Sequence, residues 1–163
     1  MEAPTNEQGR PAGAPGDEMI AKARAGRSKS PEALAAARAF AVDCAMSMRD
    51  DKCEDIVVLD VSDVSQVTDF IVVGTGTSDR QMRGAIDSVS QHGKTQGFRA
   101  LGSQADERGT WLLADFVDVM VHVFEPNTRA HYDIEMLWGD TKRVEVPDGP
   151  GPLASKRAGG ASA

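Results

Sequence analysis

Only two cysteines, Cys44 and Cys53, occur among the 163 residues, and they form no CxxC pair. Disulfide frameworks and zinc modules need several cysteines or histidines at set spacings, so the sequence excludes both. It also lacks any run of the roughly 20 apolar residues that cross a bilayer and the apolar core of a secretory signal. We therefore expect a cytoplasmic protein with reduced thiols. Early basic residues also occur in organellar transit peptides, but here acidic residues dilute the positive bias.

Basic residues are scarce in the central part of the chain. Residues 31–146 hold 11 Lys and Arg against 20 Asp and Glu, a net charge of −9. Nucleic-acid-binding domains gain affinity from clustered basic side chains that release counterions, so an acidic surface disfavours direct nucleic-acid contact. A basic protein partner fits better, although mild acidity also serves solubility in many cytosolic proteins.

Catalytic and metal-binding patterns are also lacking. A magnesium site for nucleotidyl transfer needs two carboxylates at alternate positions of one strand. Asp133 and Glu135 have this spacing but fall on a predicted helix, where they diverge, and Asp115 and Asp118 flank a predicted turn. The three histidines lie on three different elements without the spacing of metal ligands, and no G-x-S-x-G elbow marks a nucleophile. We expect no catalytic residue, no bound metal and no cofactor.

The turn from Gly74 to Ser78 leaves one rival function open. It joins a predicted strand to a helix N-terminus, where backbone N–H groups can hold a phosphate. It lacks the lysine of a P-loop and the third glycine of a dinucleotide fingerprint, so an ordinary strand-to-helix turn is favoured. The alternative function is therefore a nucleotide-binding or nucleotidyl-transfer enzyme that uses this turn.

The chain is predicted to be one α/β domain with two tails. Residues 1–29 and 147–163 mix proline, glycine, alanine and charge without an apolar period, which is typical of disordered tails. Residues 30–146 contain every periodic segment, so the domain is placed there.

Helix and strand signals alternate through this domain. Ser30-Pro31-Glu32 has the cap, the proline and the acid of a helix start, and Ser78-x-x-Gln81 is a capping box. The predicted order is a helix beginning at 31, strands at 56–59 and 67–73, a helix at 78–97, strands at 98–101, 111–116 and 119–124, and a helix at 130–138. The connection through residues 117 and 118 is short enough for a hairpin. This order predicts a five-stranded mixed sheet with helices packed on it.

Aromatic residues make up only 5% of the chain, so their positions are informative. Trp111 begins a predicted strand, and Tyr132 and Trp138 lie on the last predicted helix beside acidic residues. Tyrosine and tryptophan are common anchors of protein-recognition surfaces, although core packing is their more frequent role. His122 is predicted to be a half-buried strand residue with a hydrogen-bonded ring.

Several segments, taken in order, resemble the ribosomal silencing factor family, also called RsfS or Iojap. The resemblance runs from about residue 34 to residue 141 and leaves both tails out. The segments that carry it are 55–60 (DIVVLD), 67–73 (VTDFIVV), 76–81 (GTSDRQ), 111–118 (WLLADFVD), 121–124 (VHVF) and 132–138 (YDIEMLW).

The resemblance implies a translational repressor that binds protein number fourteen of the large ribosomal subunit and sterically blocks joining of the small subunit. It also implies a homodimer when free, and a fold similar to nucleotidyltransferases without their catalytic carboxylates. We accordingly expect no enzyme activity, little direct nucleic-acid contact and no membrane contact. The expected protein-binding residues are Trp111, Asp115, Phe116, Asp118, Tyr132, Glu135 and Trp138. A generic scaffold that only dimerises would instead show no ribosome association.

The sequence departs from the family pattern at two places. Gln104-Ala105 stands where the family usually has Glu-Gly, and the turn at 115–118 reads Asp-Phe-Val-Asp rather than Asp-Tyr-Gly-Asp. A β-branched residue such as Val117 disfavours the positive φ that glycine permits. The turn is therefore expected to differ in shape.

Overall fold

The computed structural model describes residues 30–153. The predicted N-terminal tail and residues 154–163 of the predicted C-terminal tail lie outside the described residues. The elements are α1 (Pro31–Asp50), β1 (Glu54–Asp60), β2 (Phe70–Thr75), α2 (Asp79–Gln96), β3 (Gly102–Ala105), β4 (Trp111–Asp115), β5 (Val119–Phe124), α3 (Pro126–Tyr132), α4 (Ile134–Leu137) and β6 (Lys142–Val144).

The two long helices begin where their caps predict. The Ser30 hydroxyl accepts a hydrogen bond from the Ala33 amide at 3.1 Å, and the Ser78 hydroxyl accepts one from the Gln81 amide at 3.1 Å. Each bond satisfies an amide that the helix itself leaves without a partner. Helix α2 ends at Gly97, whose φ of 82° is the left-handed conformation that closes many helices. Both predicted helices are confirmed.

The sheet is mixed and has six strands rather than the five predicted. Its order is β3-β4-β5-β2-β1-β6, and β2 and β5 pair in parallel, whereas the other neighbouring pairs are antiparallel. The missed strand, β6, pairs with β1 at the sheet edge through only three residues. Three residues are too few to show a strand period, so only pairing with β1 identifies it.

Strand β3 lies further along the chain than predicted. The run at 98–101 is not a strand; Phe98 and Ala100 pack instead against the core, and the strand spans Gly102–Ala105. Its four residues are exposed, as befits an edge strand of polar and small residues. The apolar character that predicted a strand at 98–101 reflects burial of a connecting segment.

Alternation along the strands divides the core between the two faces of the sheet. One face packs against α1 and α2 and holds the larger cluster, in which Phe40 and Met82 meet the valines at 119, 121 and 123. The opposite face holds a smaller cluster of Leu59, Val61, Ile71, Val73, Trp111 and Phe124. The predicted alternation of β5 is therefore confirmed.

The predicted last helix is broken in two. Helix α3 ends at Tyr132, and Asp133 adopts φ 43° and ψ 56°, a left-handed conformation that stops the helix. The Asp133 carboxylate then accepts a hydrogen bond from the Met136 amide at 3.3 Å and caps α4. The prediction of one continuous helix at 130–138 is wrong because the periodic pattern does not reveal a residue that ends one helix and caps the next.

The hairpin between β4 and β5 forms as predicted. Val117 adopts φ 71° in its turn, so the expectation that valine avoids the conformation favoured by glycine is wrong. The Val117 amide donates to the Asp115 carboxylate at 2.9 Å, and this bond helps to hold the unfavourable backbone conformation.

Residues 147–151 lie against the C-terminal end of α1. The Arg49 guanidinium donates to the carbonyl oxygens of Pro147 at 2.8 Å and Gly149 at 2.6 Å. The Asp50 carboxylate accepts from the Gly151 amide at 2.8 Å, and Gly151 is buried. The described chain thus extends past residue 146 along the first helix.

Candidate protein-binding site

The seven predicted binding residues fall into two groups at opposite ends of β4. Trp111 opens this strand, and the segment carrying Tyr132, Glu135 and Trp138 lies beside it. Asp115 closes the strand, about 13 Å away at the usual rise of a β-strand, and begins the turn with Phe116 and Asp118. We call the first group the aromatic end and the second group the turn end.

Four rings in contact build the aromatic end: those of Trp111, His122 and Phe124 are stacked, and that of Tyr132 is tilted against Trp111 and Phe124. The Trp111 ring centroid lies 4.8 Å from Tyr132, 5.3 Å from Phe124 and 5.9 Å from His122. Exposure rises along this stack, because His122 is 2% exposed, Trp111 8% and Tyr132 44%. Trp138 is half-buried and packs against the same cluster. The stack therefore supports an aromatic surface from within the sheet, and Tyr132 is its outermost ring.

His122 fixes the orientation of Trp111. The indole N–H of Trp111 donates to Nδ1 of His122 at 3.1 Å, so the histidine accepts through Nδ1 in its neutral form. Burial lowers the pKa of His122 from 6.5 to about 3. The prediction of a hydrogen-bonded ring is confirmed, whereas the predicted half-burial is wrong because a residue central in the sheet is covered on both faces.

Arg129 ties the helical segment to the sheet. Its Nη1 donates to the Thr75 hydroxyl at 2.7 Å, and its Nε and Nη2 both donate to Glu135, the former at 3.1 Å. The arginine side chain is only 16% exposed, so this charge-assisted pair is sheltered from screening. Glu135, one of the predicted binding residues, is thus held inward by a cation of its own chain.

The turn end is much less accessible. Phe116 is 2% exposed and packs edge-on against Phe40 with ring centroids 4.9 Å apart. Asp115 is 3% exposed, and Asp118 is half-buried. The carbonyl of Asp118 accepts from the amides of residues 69 and 70. These residues shape the turn and present little side-chain surface to a partner.

The turn at 74–78 has internal partners for its polar groups. The Gly76 amide donates to the Phe124 carbonyl at 2.7 Å, and the Thr77 amide donates to the Gln81 side-chain oxygen at 2.5 Å. Both amides would have to leave these acceptors to bind a phosphate. A Cβ on Gly76 would come within 2.1 Å of Met82, so close packing accounts for this glycine.

Metal-binding clusters and membrane-spanning helices are absent from residues 30–153. In that range no three His, Cys, Asp or Glu side chains are grouped closely enough to hold a metal ion. No helix in the same range is long and apolar enough to span a membrane. Both cysteines are free and buried, and burial raises the pKa of Cys53 to about 12, so its thiol is protonated at neutral pH.

Sequence reasoning missed three residues near the aromatic end. Arg129 had no recognisable pattern, because its partner Thr75 is 54 positions away along the chain. Met136 and Leu137 fall within the predicted last helix without a signal of their own, yet they are 78% and 68% exposed. No local pattern marks their exposure, because it follows from the break at Asp133, which only the structure shows.

A comparison with known families gives the decisive match. The family model described as "Ribosomal silencing factor during starvation" matches residues 34–162, which is most of the chain. This chain belongs to the ribosomal silencing factor family.

Individual proteins also resemble this chain. The ribosomal silencing factor RsfS of Chromobacterium violaceum is 41% identical over 96 residues, 59% of this chain and 79% of that protein. A crystal structure of a protein from the same bacterium has a TM-score of 0.56 and 37% identity, and covers 67% of this chain and 90% of its own. A mouse relative, "Mitochondrial assembly of ribosomal large subunit protein 1", is 29% identical over 61% of this chain and 45% of its own length.

Proposed function

We propose that this protein is a translational repressor that binds the large ribosomal subunit through its ribosomal protein number fourteen. Bound there, it covers surface that the small subunit must contact and so prevents the two subunits from joining. The observation that carries this proposal is the family match over residues 34–162. The name of the mouse relative, which mentions the large ribosomal subunit, favours that subunit as the partner.

The aromatic end is the part of the molecule that best suits such a contact. Tyr132 is 44% exposed, and the rings of Trp111 and Phe124 support it from behind. Rigid aromatic side chains bury much surface on binding while losing little conformational entropy, which is why they anchor interfaces. Trp138 and Glu135 continue the same surface.

Charge favours a basic protein over nucleic acid as the direct contact. The net charge of −9 over residues 31–146 repels phosphate but attracts a basic partner and speeds the encounter. Binding should therefore weaken as salt rises. A contact of about 800 Å² on each partner would be of ordinary size.

The mechanism is steric and needs no catalysis. We propose that the protein acts in the cytoplasm, is a homodimer when free, and has a nucleotidyltransferase-like fold without the catalytic carboxylates. Asp118, which is half-buried, remains a proposed contact residue at the turn end, whereas Asp115 is 3% exposed and would act through the shape of the turn. Phe116 would act through the shape of this turn, since its side chain is buried.

Sedimentation through a sucrose gradient tests the proposal. Purified large and small subunits are mixed with and without the full chain, and the joined ribosome and co-migrating protein are measured. We expect the protein to migrate with the large subunit and the joined ribosome to decrease. Tyr132→Ala should weaken both effects, whereas Val64→Ala, at an exposed apolar residue elsewhere, should not. Unchanged subunit joining without co-migration would refute the proposal.

The rival nucleotide-binding function can be tested with the same protein. Thermal unfolding is measured with ATP or GTP and magnesium over a range of concentrations. A ligand that binds the folded state raises the melting temperature in a saturable way. We expect no such rise, because the amides of Gly76 and Thr77 in this turn already have acceptors within the chain.

A further inference from the structure

Helix α4 leaves two large apolar side chains in solvent. Met136 is 78% exposed and Leu137 is 68% exposed, and they follow one another in the chain. Burying such side chains in an interface would remove more than half of each from water, which favours binding. Adjacent exposed apolar residues are a common mark of a protein-binding surface.

An acidic cleft lies on the other side of the same short helix. It has a volume of about 380 Å³, and its charged lining residues are Glu54, Asp55, Asp133, Glu135 and Arg129. Four carboxylates against one guanidinium give a local net charge of −3. Ile134 also lines the cleft, so α4 contributes to its wall while Met136 and Leu137 point to solvent.

The segment that carries both features is held firmly. Arg129 donates hydrogen bonds to Thr75 on β2 and to Glu135 on α4, so one half-buried side chain joins the helix to the sheet. Asp133 caps the amide of Met136. A surface that is ordered before binding loses less entropy when the partner arrives.

We infer that α4 and the adjoining acidic cleft form one docking surface for a basic protein segment that also presents an apolar side chain. This inference rests on the proposed function and deepens it by naming the anchors and the chemistry of the partner. Met136 and Leu137 make the apolar contact, and a lysine or arginine of the partner enters the cleft toward Glu54, Asp55 and Asp133.

The charges argue against the two other possible occupants. A second copy of the chain, in a two-fold contact at this surface, would bring its own acidic cleft to the same place, so like charges would meet. A nucleic acid would bring phosphates to the same carboxylates. Of these three occupants, only a basic protein segment would bind favourably both to Met136 and Leu137 and to the acidic cleft.

Binding to purified large subunits tests the apolar part. The variant M136S/L137S is compared with wild type and with V64S, which removes an apolar side chain that is 64% exposed elsewhere. Circular dichroism and melting temperature establish that each variant folds. We expect M136S/L137S to bind about tenfold more weakly or worse, as interface anchors do, and V64S to bind like wild type.

The charge part is tested by the salt dependence of the same binding. The variant E54Q/D55N removes two charges, and asparagine tolerates the positive φ of 49° at position 55. We expect weaker binding and a smaller loss of affinity as salt rises. The control D63N/D87N removes two exposed acids from other parts of the chain and should leave both properties close to wild type.

The outcomes separate this inference from the proposed function. Failure of wild type to bind the large subunit overturns both. The inference is wrong, while the proposed function stands, if M136S/L137S binds the large subunit as tightly as wild type does. The same holds if V64S loses as much affinity as M136S/L137S. Light scattering detects the remaining case: if M136S/L137S only makes a dimer dissociate and ribosome binding is unchanged, the surface belongs to a second copy and the inference is wrong.

Discussion

Lowering the pH from 8 to 5 should destabilise the folded protein by about 2 kcal/mol through His122 alone. Its pKa is about 3 in the folded chain and 6.5 when unfolded. Between these values the unfolded state binds a proton and the folded state does not. Stability is therefore fully present above pH 6.5 and falls by about 1.4 kcal/mol for each pH unit below it until the folded pKa is reached.

The variant H122Q isolates this contribution. Glutamine does not titrate, and its side-chain oxygen can accept the Trp111 indole hydrogen bond. Free energies of unfolding are measured by urea titration at pH 8, 6 and 5 for wild type, H122Q and H131Q, the last at an exposed histidine. H122Q should start less stable but lose about 2 kcal/mol less than wild type between pH 8 and 5. H131Q should follow wild type.

Parallel pH curves for wild type and H122Q would refute this reasoning. They would mean that His122 is protonated in the folded state at pH 5. In that case the Trp111 indole could not donate to Nδ1, and the stack at the aromatic end would rest on a different contact.

Four further substitutions test how particular residues contribute to stability. In thermal melts, Gly93→Ala should lower the free energy of unfolding by about 1–3 kcal/mol, because the new Cβ would lie 2.3 Å from a backbone carbonyl oxygen. Gly84→Ala, with open space around its Cβ, should raise the free energy of unfolding by up to about 1 kcal/mol in the same melts. Val117→Gly should stabilise by about 1 kcal/mol in urea titrations by relieving the positive φ, and a loss of stability would show that valine is not strained there. Arg129→Met should lower the free energy of unfolding by about 1–2 kcal/mol, a magnitude reduced because Glu135 is partly exposed to solvent. It should also weaken binding to the large subunit. Unchanged binding would show that the salt bridge does not position α4.

Local signals predicted the two long helices and most strands well. Ser30 and Ser78 cap helices because their hydroxyls satisfy nearby amides, and this depends only on residues within one turn. The alternating run at 119–124 predicted both a strand and the two faces it presents. The family resemblance likewise lay in short segments that could be read in order along the chain.

Signals that depend on distant residues were missed or misplaced. Strand β6 exists only because β1 lies beside it, and the run at 98–101 is apolar because it is buried rather than because it is a strand. The break at Asp133 depends on one residue serving two helices. Within residues 30–153 the predicted site was divided by the fold, which exposes Tyr132 and buries Phe116.

The sequence by itself determined the fold class, the helix starts, the acidic balance and the family, because each depends on composition or on neighbours within a few positions. Tertiary structure decided the parallel pairing of β2 with β5, the Trp111–His122 hydrogen bond and the bridge from Arg129 to Thr75. It also decided that Met136 and Leu137 face solvent. These features join residues that are far apart along the chain or depend on which faces are covered, and no local pattern encodes either.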